Sequence, residues 1–188
     1  MIRNRKEYLK YLEADRISLG ITSSLKQILF NDIWRFQRLM RKLEFRTNCK
    51  KNVVMRRFTK YRYVRLSKKL GFSIPINVFG PGLSIAHYGS IVVNSGTRIG
   101  ANCRLHVCVN FGTKAGESES APTLGDNCYI GPGAKIFGPI KIGDNTVIGA
   151  NAVVNRSFPQ GHCSIGGVPA KKISSKTSED LLIKGWKA

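Results

Sequence analysis

An aliphatic residue that recurs at every sixth position is the feature that most restricts how this chain can fold. Between residues 124 and 154 the spacing holds without a slip, at Leu124, Ile130, Ile136, Ile142, Ile148 and Val154. A period of six fits neither the 3.6-residue turn of an α-helix nor the two-residue alternation of a strand. It predicts a three-sided coil whose aliphatic residues point inward, with a small residue, often the glycine that follows, at the corner.

The same period occurs upstream, which extends the predicted coil. It is found at Phe79, Ile85, Ile91, Val93, Ile99, Leu105 and Phe111, with a shift of two residues between Ile91 and Val93. Three hexads make one coil of roughly 18 residues, and stacked coils lie about 4.8 Å apart. Residues 79–112 and 124–159 therefore supply about four coils, and the polar stretch 113–123 is predicted to form a loop at one corner.

The hexad (Ile/Leu/Val)-Gly-x-x-x-x resembles the repeat of the hexapeptide acyltransferases over residues 72–173. The similar branches are the serine acetyltransferases and the polysaccharide O-acetyltransferases. The resemblance implies a mainly β protein, a left-handed parallel β-helix with an N-terminal α-helical extension and a short C-terminal tail. We expect a basic helical region at 1–70, an acetyltransferase domain at 71–173 and a tail at 174–188, with a short helix capped by Ser178.

Positive charge is concentrated before the repeat. The net charge is +20, and residues 1–70 hold 20 Lys+Arg against 5 Asp+Glu. Apolar residues at spacings of three and four predict helices there. The region is either a cap with a solvated basic face or a surface that contacts polyanions, such as the inner face of a membrane. Aromatic residues among the basic ones leave RNA as an alternative partner, although nucleic acid is not the partner we expect.

Composition also bears on compartment and metals. No stretch approaches 18 apolar residues, and the charged N-terminus lacks the apolar centre of a secretory signal, so we expect a cytoplasmic protein, at most peripheral at the inner membrane. The five cysteines are scattered without CxxC spacing, which favours buried thiols over disulfides or a metal site. Cys103 and Cys108 are accordingly not favoured as acyl carriers.

Two of the three histidines are candidates for acid–base chemistry. Ile85 and Leu105 should lie one coil apart, which puts His87 and His106 on neighbouring coils. The stretch GPGLSIAHYGSIVVN resembles the serine acetyltransferase segment that carries the catalytic base, which implies that role for His87. The stretch HVCVNFGT is more similar to polysaccharide O-acetyltransferases and implies that His106 binds the acceptor or assists. His162, outside the repeat, is expected to be structural.

The chain departs from the serine acetyltransferases at two places. Phe72 stands where that family has the Asp that pairs with its base, so we expect a backbone carbonyl to orient His87. Ser120 and Ala121 stand where it has the Arg-His pair that holds serine. The favoured acceptor is therefore a sugar hydroxyl of a bacterial surface polysaccharide or its precursor. The alternatives are serine O-acetylation in cysteine biosynthesis, and a non-enzymatic scaffold whose basic arm binds nucleic acid or membrane.

The resemblance also implies acetyl-CoA as cosubstrate, no metal, and direct transfer within a homotrimer whose subunits share the CoA slot. The positions that match the CoA contacts of the family are small residues along the coils and two lysines after them: Gly112, Thr113, Pro132, Ala150, Lys171 and Lys172. Small side chains let the pantetheine arm approach the backbone, and the lysines offer positive charge to the nucleotide phosphates.

Overall fold

A computed structural model describes residues 1–22, 27, 30–49, 52–117 and 120–187. Positions 118 and 119 of the predicted loop, and Ala188 of the tail, lie outside the described residues. Among these residues, the α-helices whose bounds the structure gives are α1 (Arg5–Ser18), α2 (Asp32–Cys49) and α3 (Val53–Leu70). Fourteen short strands follow: β1 (Phe72–Ser73), β2 (Ser84–Ile85), β3 (Ile91–Val93), β4 (Arg98–Ile99), β5 (Arg104–Leu105), β6 (Asn110–Gly112), β7 (Thr123–Leu124), β8 (Tyr129–Ile130), β9 (Lys135–Phe137), β10 (Lys141–Ile142), β11 (Val147–Ile148), β12 (Val153–Val154), β13 (Ser164–Gly166) and β14 (Lys171–Ser174).

The strands form the three faces of a prism. Face 1 has the order β1-β3-β6-β9-β12, face 2 has β10-β7-β4, and face 3 has β14-β13-β11-β8-β5-β2. All pairings are parallel except the last, between β13 and β14. From β2 to β12, any three consecutive strands therefore belong to three different faces, as the six-residue period predicts.

The inward residues stack coil upon coil and fill the prism. On face 3 the stack is Ile85, Leu105, Ile130, Ile148 and Ile165, none of them more than 1% exposed. A buried aliphatic side chain of this size contributes about 1.5–3 kcal/mol. Every coil needs a buried aliphatic residue at the same position, which explains why the six-residue spacing is so regular.

Two irregularities of the repeat have simple structural forms. The shift at Ile91 and Val93 falls within β3, where both side chains point inward and Val92 points outward. The polar loop lengthens one coil, because Arg98 pairs with Thr123, 25 positions later, while Thr123 pairs with Lys141, 18 positions later. The loop therefore leaves the coil between face 1 and face 2.

Asparagine side chains begin all three helices. Asn4 accepts a hydrogen bond from Glu7 N at 2.9 Å, Asn31 from Trp34 N at 2.9 Å, and Asn52 from Met55 N at 3.0 Å. Each side chain satisfies a backbone donor that the first turn leaves free. Gly71 ends α3 in the left-handed conformation, with φ at 78°, and leads directly into β1.

Arg41 of α2 fixes the helices to the first coil. It is fully buried and pairs with Asp15 of α1 at 2.8 Å and with Glu44 at 3.0 Å. It also donates to the carbonyls of Phe79 and Gly80 at 2.9 and 2.6 Å. Burial disfavours the guanidinium, but the two carboxylates outweigh it and hold the pKa of Arg41 above its usual value.

The C-terminal segment differs from the expected short helix. It folds as β14, then a single 3₁₀ turn at Glu179–Leu181. The Ser178 side chain does not cap that turn; its hydroxyl donates to the carbonyl of Asn127 instead. The segment returns along the prism, where Trp186 N donates to Asn102 Oδ1 at 2.8 Å. The hydrogen bonds of this segment to Asn102 and Asn127 therefore outweigh its weak local propensity to form a helix.

Among the described residues, no helix is both long and apolar enough to cross a membrane.

Candidate active site

One edge of the prism carries both predicted catalytic histidines and some of the residues predicted to bind CoA. It consists of the turns that lead from face 3 to face 1, after β2, β5, β8 and β11, and is called the histidine edge here. The turns stack by backbone hydrogen bonds, from Ala86 N to Leu105 O at 2.9 Å, from His106 N to Ile130 O at 3.2 Å, and from Gly131 N to Ile148 O at 2.8 Å. Corresponding positions of successive coils therefore lie next to each other.

His87 and His106 are neighbours on this edge. Strands β2 and β5 pair with Ile85 opposite Leu105, the register expected from the repeat. The two imidazole rings have centroids 6.2 Å apart, and the His106 ring lies 5.0 Å from that of Tyr129 on the next coil. His87 is exposed and His106 is half-buried. The structure thus presents one accessible imidazole beside a partly enclosed one.

The surroundings of His106 favour its neutral form. Its pKa is lowered by burial, by the positive charge of Arg104, and by His87. Its Nε2 atom is buried and has no hydrogen-bond partner among the described residues. A buried polar nitrogen without a partner is costly to a fold, and in a cleft it is a common mark of a ligand-binding position.

The backbone carbonyl that was expected to orient His87 is not found. Within the described part of the chain, His87 makes no hydrogen bond and no ion pair, and its ring contact is with His106. The residue sits on the exposed side of its turn, where no main-chain acceptor of the adjacent coil reaches the ring.

Only some of the residues predicted to bind CoA come together on the histidine edge. Pro132 and Ala150 occupy its third and fourth turns and are exposed, with Asn151 N donating to Pro132 O at 2.8 Å. Lys171 is exposed on β14 opposite Gly166, at the end of face 3 that borders the edge, and Lys172 follows opposite Ile165.

The remaining two predicted CoA residues lie elsewhere. Gly112 ends β6, and Thr113 follows it where the loop leaves the coil. Both lie at the far side of face 1 and not on the histidine edge, because a face-1 strand separates the two corners. Within one chain the structure does not bring them to Pro132 and Ala150.

The Ser120 side chain makes its hydrogen bonds within the loop that it belongs to. Its hydroxyl accepts from Lys114 N at 2.9 Å and donates to Glu117 O at 2.9 Å, and the residue is 9% exposed. It therefore closes the loop on itself.

His162 belongs to a different edge, between face 2 and face 3. There the side chains of Asn102, Asn127 and Asn145 form a ladder with two hydrogen bonds of 3.0 Å, and His162 Nε2 lies 3.5 Å from Asn145. All four residues have positive φ, between 48° and 55°. Asparagine adopts this conformation more readily than most residues. The recurring Gly-Asp-Asn at 125–127 and 143–145 was the sequence signal for this ladder.

The part of the chain that the structure describes shows no cluster of metal ligands, and most of its cysteines are buried. No group of three His, Cys, Asp or Glu side chains there could hold a metal ion. Cys103, Cys128 and Cys163 are buried as expected, whereas Cys108 is exposed and has a φ of 61°. Burial raises the pKa of the Cys103 thiol well above its usual value, which makes it unreactive.

The repeat and the fold are shared with known proteins. A family model described as "Bacterial transferase hexapeptide (six repeats)" matches residues 121–156. Among solved structures, a serine acetyltransferase from Brucella abortus strain S19 aligns with a TM-score of 0.73 at 22% identity, covering 93% of this chain and 72% of that one. A soybean serine acetyltransferase aligns with a TM-score of 0.70 at 24% identity, covering 90% and 69%. The predicted left-handed hexapeptide β-helix is confirmed.

Part of the chain is also similar in sequence to known proteins. A serine acetyltransferase of Synechococcus elongatus is 36% identical over 95 residues, which is 50% of this chain and 38% of the relative. One of Helicobacter pylori is 39% identical over 88 residues, 46% of this chain and 52% of the relative. The chain spans about half or less of the length of these relatives. The predicted resemblance to serine acetyltransferase-like hexapeptide proteins is confirmed, and the match is confined to part of each protein.

Proposed function

We propose that this protein is an acetyl-CoA-dependent O-acetyltransferase in which His87 is the general base. The observation that carries the proposal is the pair of imidazoles on the histidine edge, one exposed and one held neutral with an unpartnered buried nitrogen. The similar proteins named above are all serine acetyltransferases, and a further solved structure of similar fold is the Brucella abortus serine acetyltransferase in complex with coenzyme A.

The reaction needs one base and no covalent enzyme intermediate. His87 takes the proton from the acceptor hydroxyl as its oxygen forms a bond to the thioester carbonyl carbon. The tetrahedral intermediate collapses, the carbon–sulfur bond breaks, and the leaving CoA thiolate takes the proton from His87, which restores the neutral base. His106, kept neutral by its surroundings, holds the acceptor hydroxyl through its buried Nε2.

The histidine edge also suits a long, thin cosubstrate. From His87 to Ala150 there are three coil steps, or about 14 Å at the strand spacing of stacked coils. Small residues along this path leave the backbone accessible, and Lys171 and Lys172 stand beyond it as cations for the phosphates. The thioester would lie at the histidines and the nucleotide at the lysines.

Gly112 and Thr113 join this slot only if a second copy supplies them. They lie at the other side of face 1, so a neighbour packed against the histidine edge could bring its own pair to the arm. The proposal therefore includes a homotrimer with shared slots. Light scattering coupled to size exclusion tests this part, and a monomer that binds acetyl-CoA with full affinity contradicts it.

L-Serine is the acceptor that the sequence relatives favour. A free amino acid carries both an ammonium and a carboxylate, and each needs a partner of opposite charge. Arg104 stands beside His106 and suits the carboxylate. Among the described residues, no carboxylate is hydrogen-bonded or ion-paired to either imidazole, so the described residues show no partner for the ammonium at the two rings themselves.

A sugar hydroxyl of a surface glycan is the second candidate, favoured by a cavity beside the histidine edge. The cavity measures about 530 Å³ and is lined by Tyr88, Phe30, Asn31 and Asp32 among others. Tyr88 and Phe30 are 69% and 78% exposed. Exposed aromatic rings with a nearby carboxylate and amide are suited to stacking on a sugar ring and binding its hydroxyls.

The experiment that separates these functions measures CoA release from acetyl-CoA with each acceptor in turn, together with mass spectrometry of the product. Serine-dependent release with formation of O-acetylserine establishes the first acceptor. Acetylated oligosaccharide without serine turnover establishes the second. Calorimetry that detects no acetyl-CoA binding overturns the enzymatic proposal and leaves the non-enzymatic scaffold.

A further inference from the structure

Helix α3 has an exposed face that the proposed catalysis does not use. The helix carries seven Lys or Arg residues and no Asp or Glu. Of its basic residues, Lys69 is the one that reaches a carboxylate within the described chain, that of Asp32 at 2.7 Å. Seven of the twenty Lys and Arg residues of the N-terminal region therefore belong to this one helix, without an acidic residue among them.

Apolar side chains are interleaved with this charge. Val54, Phe58 and Tyr61 are 76%, 54% and 58% exposed, and successive turns of the helix bring them to one side. The guanidinium of Arg62 lies 5.8 Å from the Phe58 ring centre, and that of Arg65 lies 5.8 Å from the Tyr61 ring centre. The outward surface is thus basic and apolar at the same time, an arrangement that water does not favour.

Two basic cavities open next to this surface. One of about 470 Å³ lies between α2 and α3 and is lined by Arg35, Tyr61, Arg62, Arg65 and Lys69 among others. A neighbouring one of about 250 Å³ shares Arg35 and Arg62. Guanidinium groups that converge on a cavity of this size suit phosphate oxygens, which they bind with two parallel hydrogen bonds.

We propose that the outward face of α3, with its two cavities, docks onto an anionic phospholipid bilayer. The cavities take lipid phosphates, the surrounding Lys and Arg meet the negative surface, and the exposed Val54 and Phe58 enter the boundary between headgroups and acyl chains. A bilayer matches both properties of the face. A soluble polyanion such as RNA gives the aliphatic side chains no apolar environment.

Vesicle sedimentation tests the proposal with the full-length protein. Vesicles of phosphatidylcholine alone are compared with vesicles that contain phosphatidylglycerol, at low and high salt. We expect binding to the anionic vesicles only, weakened at least tenfold by Arg57→Glu combined with Lys60→Glu, since each charge near the surface contributes to attraction. Val54→Ser combined with Phe58→Ser should weaken it about threefold or more through lost insertion.

The matched control is Lys6→Glu combined with Lys10→Glu on α1, which changes the net charge equally at two other exposed positions. Thermal unfolding and soluble-acceptor turnover should stay unchanged in every variant, which keeps this test independent of the proposed catalysis. Equal loss of vesicle binding in the control, no sedimentation with anionic vesicles, or salt-sensitive RNA binding in its place would each overturn the proposal.

Discussion

Arg41 provides the sharpest test of how the helices are held on the prism. Its three guanidinium nitrogens make five hydrogen bonds, to both carboxylate oxygens of Asp15, to Glu44, and to the carbonyls of Phe79 and Gly80. Arg41→Met keeps a similar volume and removes all five. Removing one partner of a buried ion pair costs about 3–5 kcal/mol, because the carboxylates stay buried without a counter-charge. That is a large part of the roughly 5–15 kcal/mol that stabilises a typical protein.

The assay is urea unfolding followed by circular dichroism at one fixed protein concentration, with a thermal scan beside it. For a chain of this length the loss corresponds to a fall of roughly 6–20 °C in Tm. Arg35→Met is the control, because that exposed side chain makes only a 3.8 Å ion pair with Asp32, and such pairs contribute about 1 kcal/mol or less. A loss below about 1 kcal/mol for Arg41→Met would refute the role assigned to this cluster.

Two further outcomes follow from the coil and from the histidine edge. Gly131→Ala should destabilise by about 1–3 kcal/mol in urea unfolding, since its new methyl would lie 2.8 Å from the backbone of Ala150 and Ile148, whereas Gly149→Ala meets nothing closer than 3.4 Å and should cost far less. Equal losses would contradict the stacking geometry. The pKa of His106 is lowered in the folded state. Its contribution to stability is therefore present above the ordinary histidine pKa and is lost as pH falls from that value through the lowered folded-state pKa. His106→Gln should flatten this acid-side decline in Tm, and an unchanged pH profile would refute the argument.

The coil could be predicted from the sequence because its signal is repeated and local. Ile130 and Ile148 occupy equivalent positions in successive coils, and the same physical demand for an inward aliphatic residue applies at each. The pairing of Ile85 with Leu105 followed from the same count of residues, which is why the repeat alone was enough to predict that His87 and His106 are neighbours.

Features that depend on three-dimensional contacts were missed. Nothing local marks Arg41 as buried, since its partners Asp15 and Gly80 are distant in the chain. The separation of Gly112 from Pro132 arises because one strand lies between two corners, which a motif match does not encode. The C-terminal segment preferred contacts with Asn102 and Asn127 over its own helix.

The most direct measurement of the central claim is the initial rate of CoA release by His87→Asn, with whichever acceptor the native protein uses. Loss of a general base lowers kcat by about 10²–10⁴-fold. Acetyl-CoA affinity by calorimetry should stay within about twofold, because the base we propose contacts the acceptor hydroxyl and not the cosubstrate phosphates. His162→Gln, on the edge between face 2 and face 3 beside Asn145, is the matched control and should retain the native rate. Near-native kcat in His87→Asn would contradict the assignment of the histidine edge as the active site.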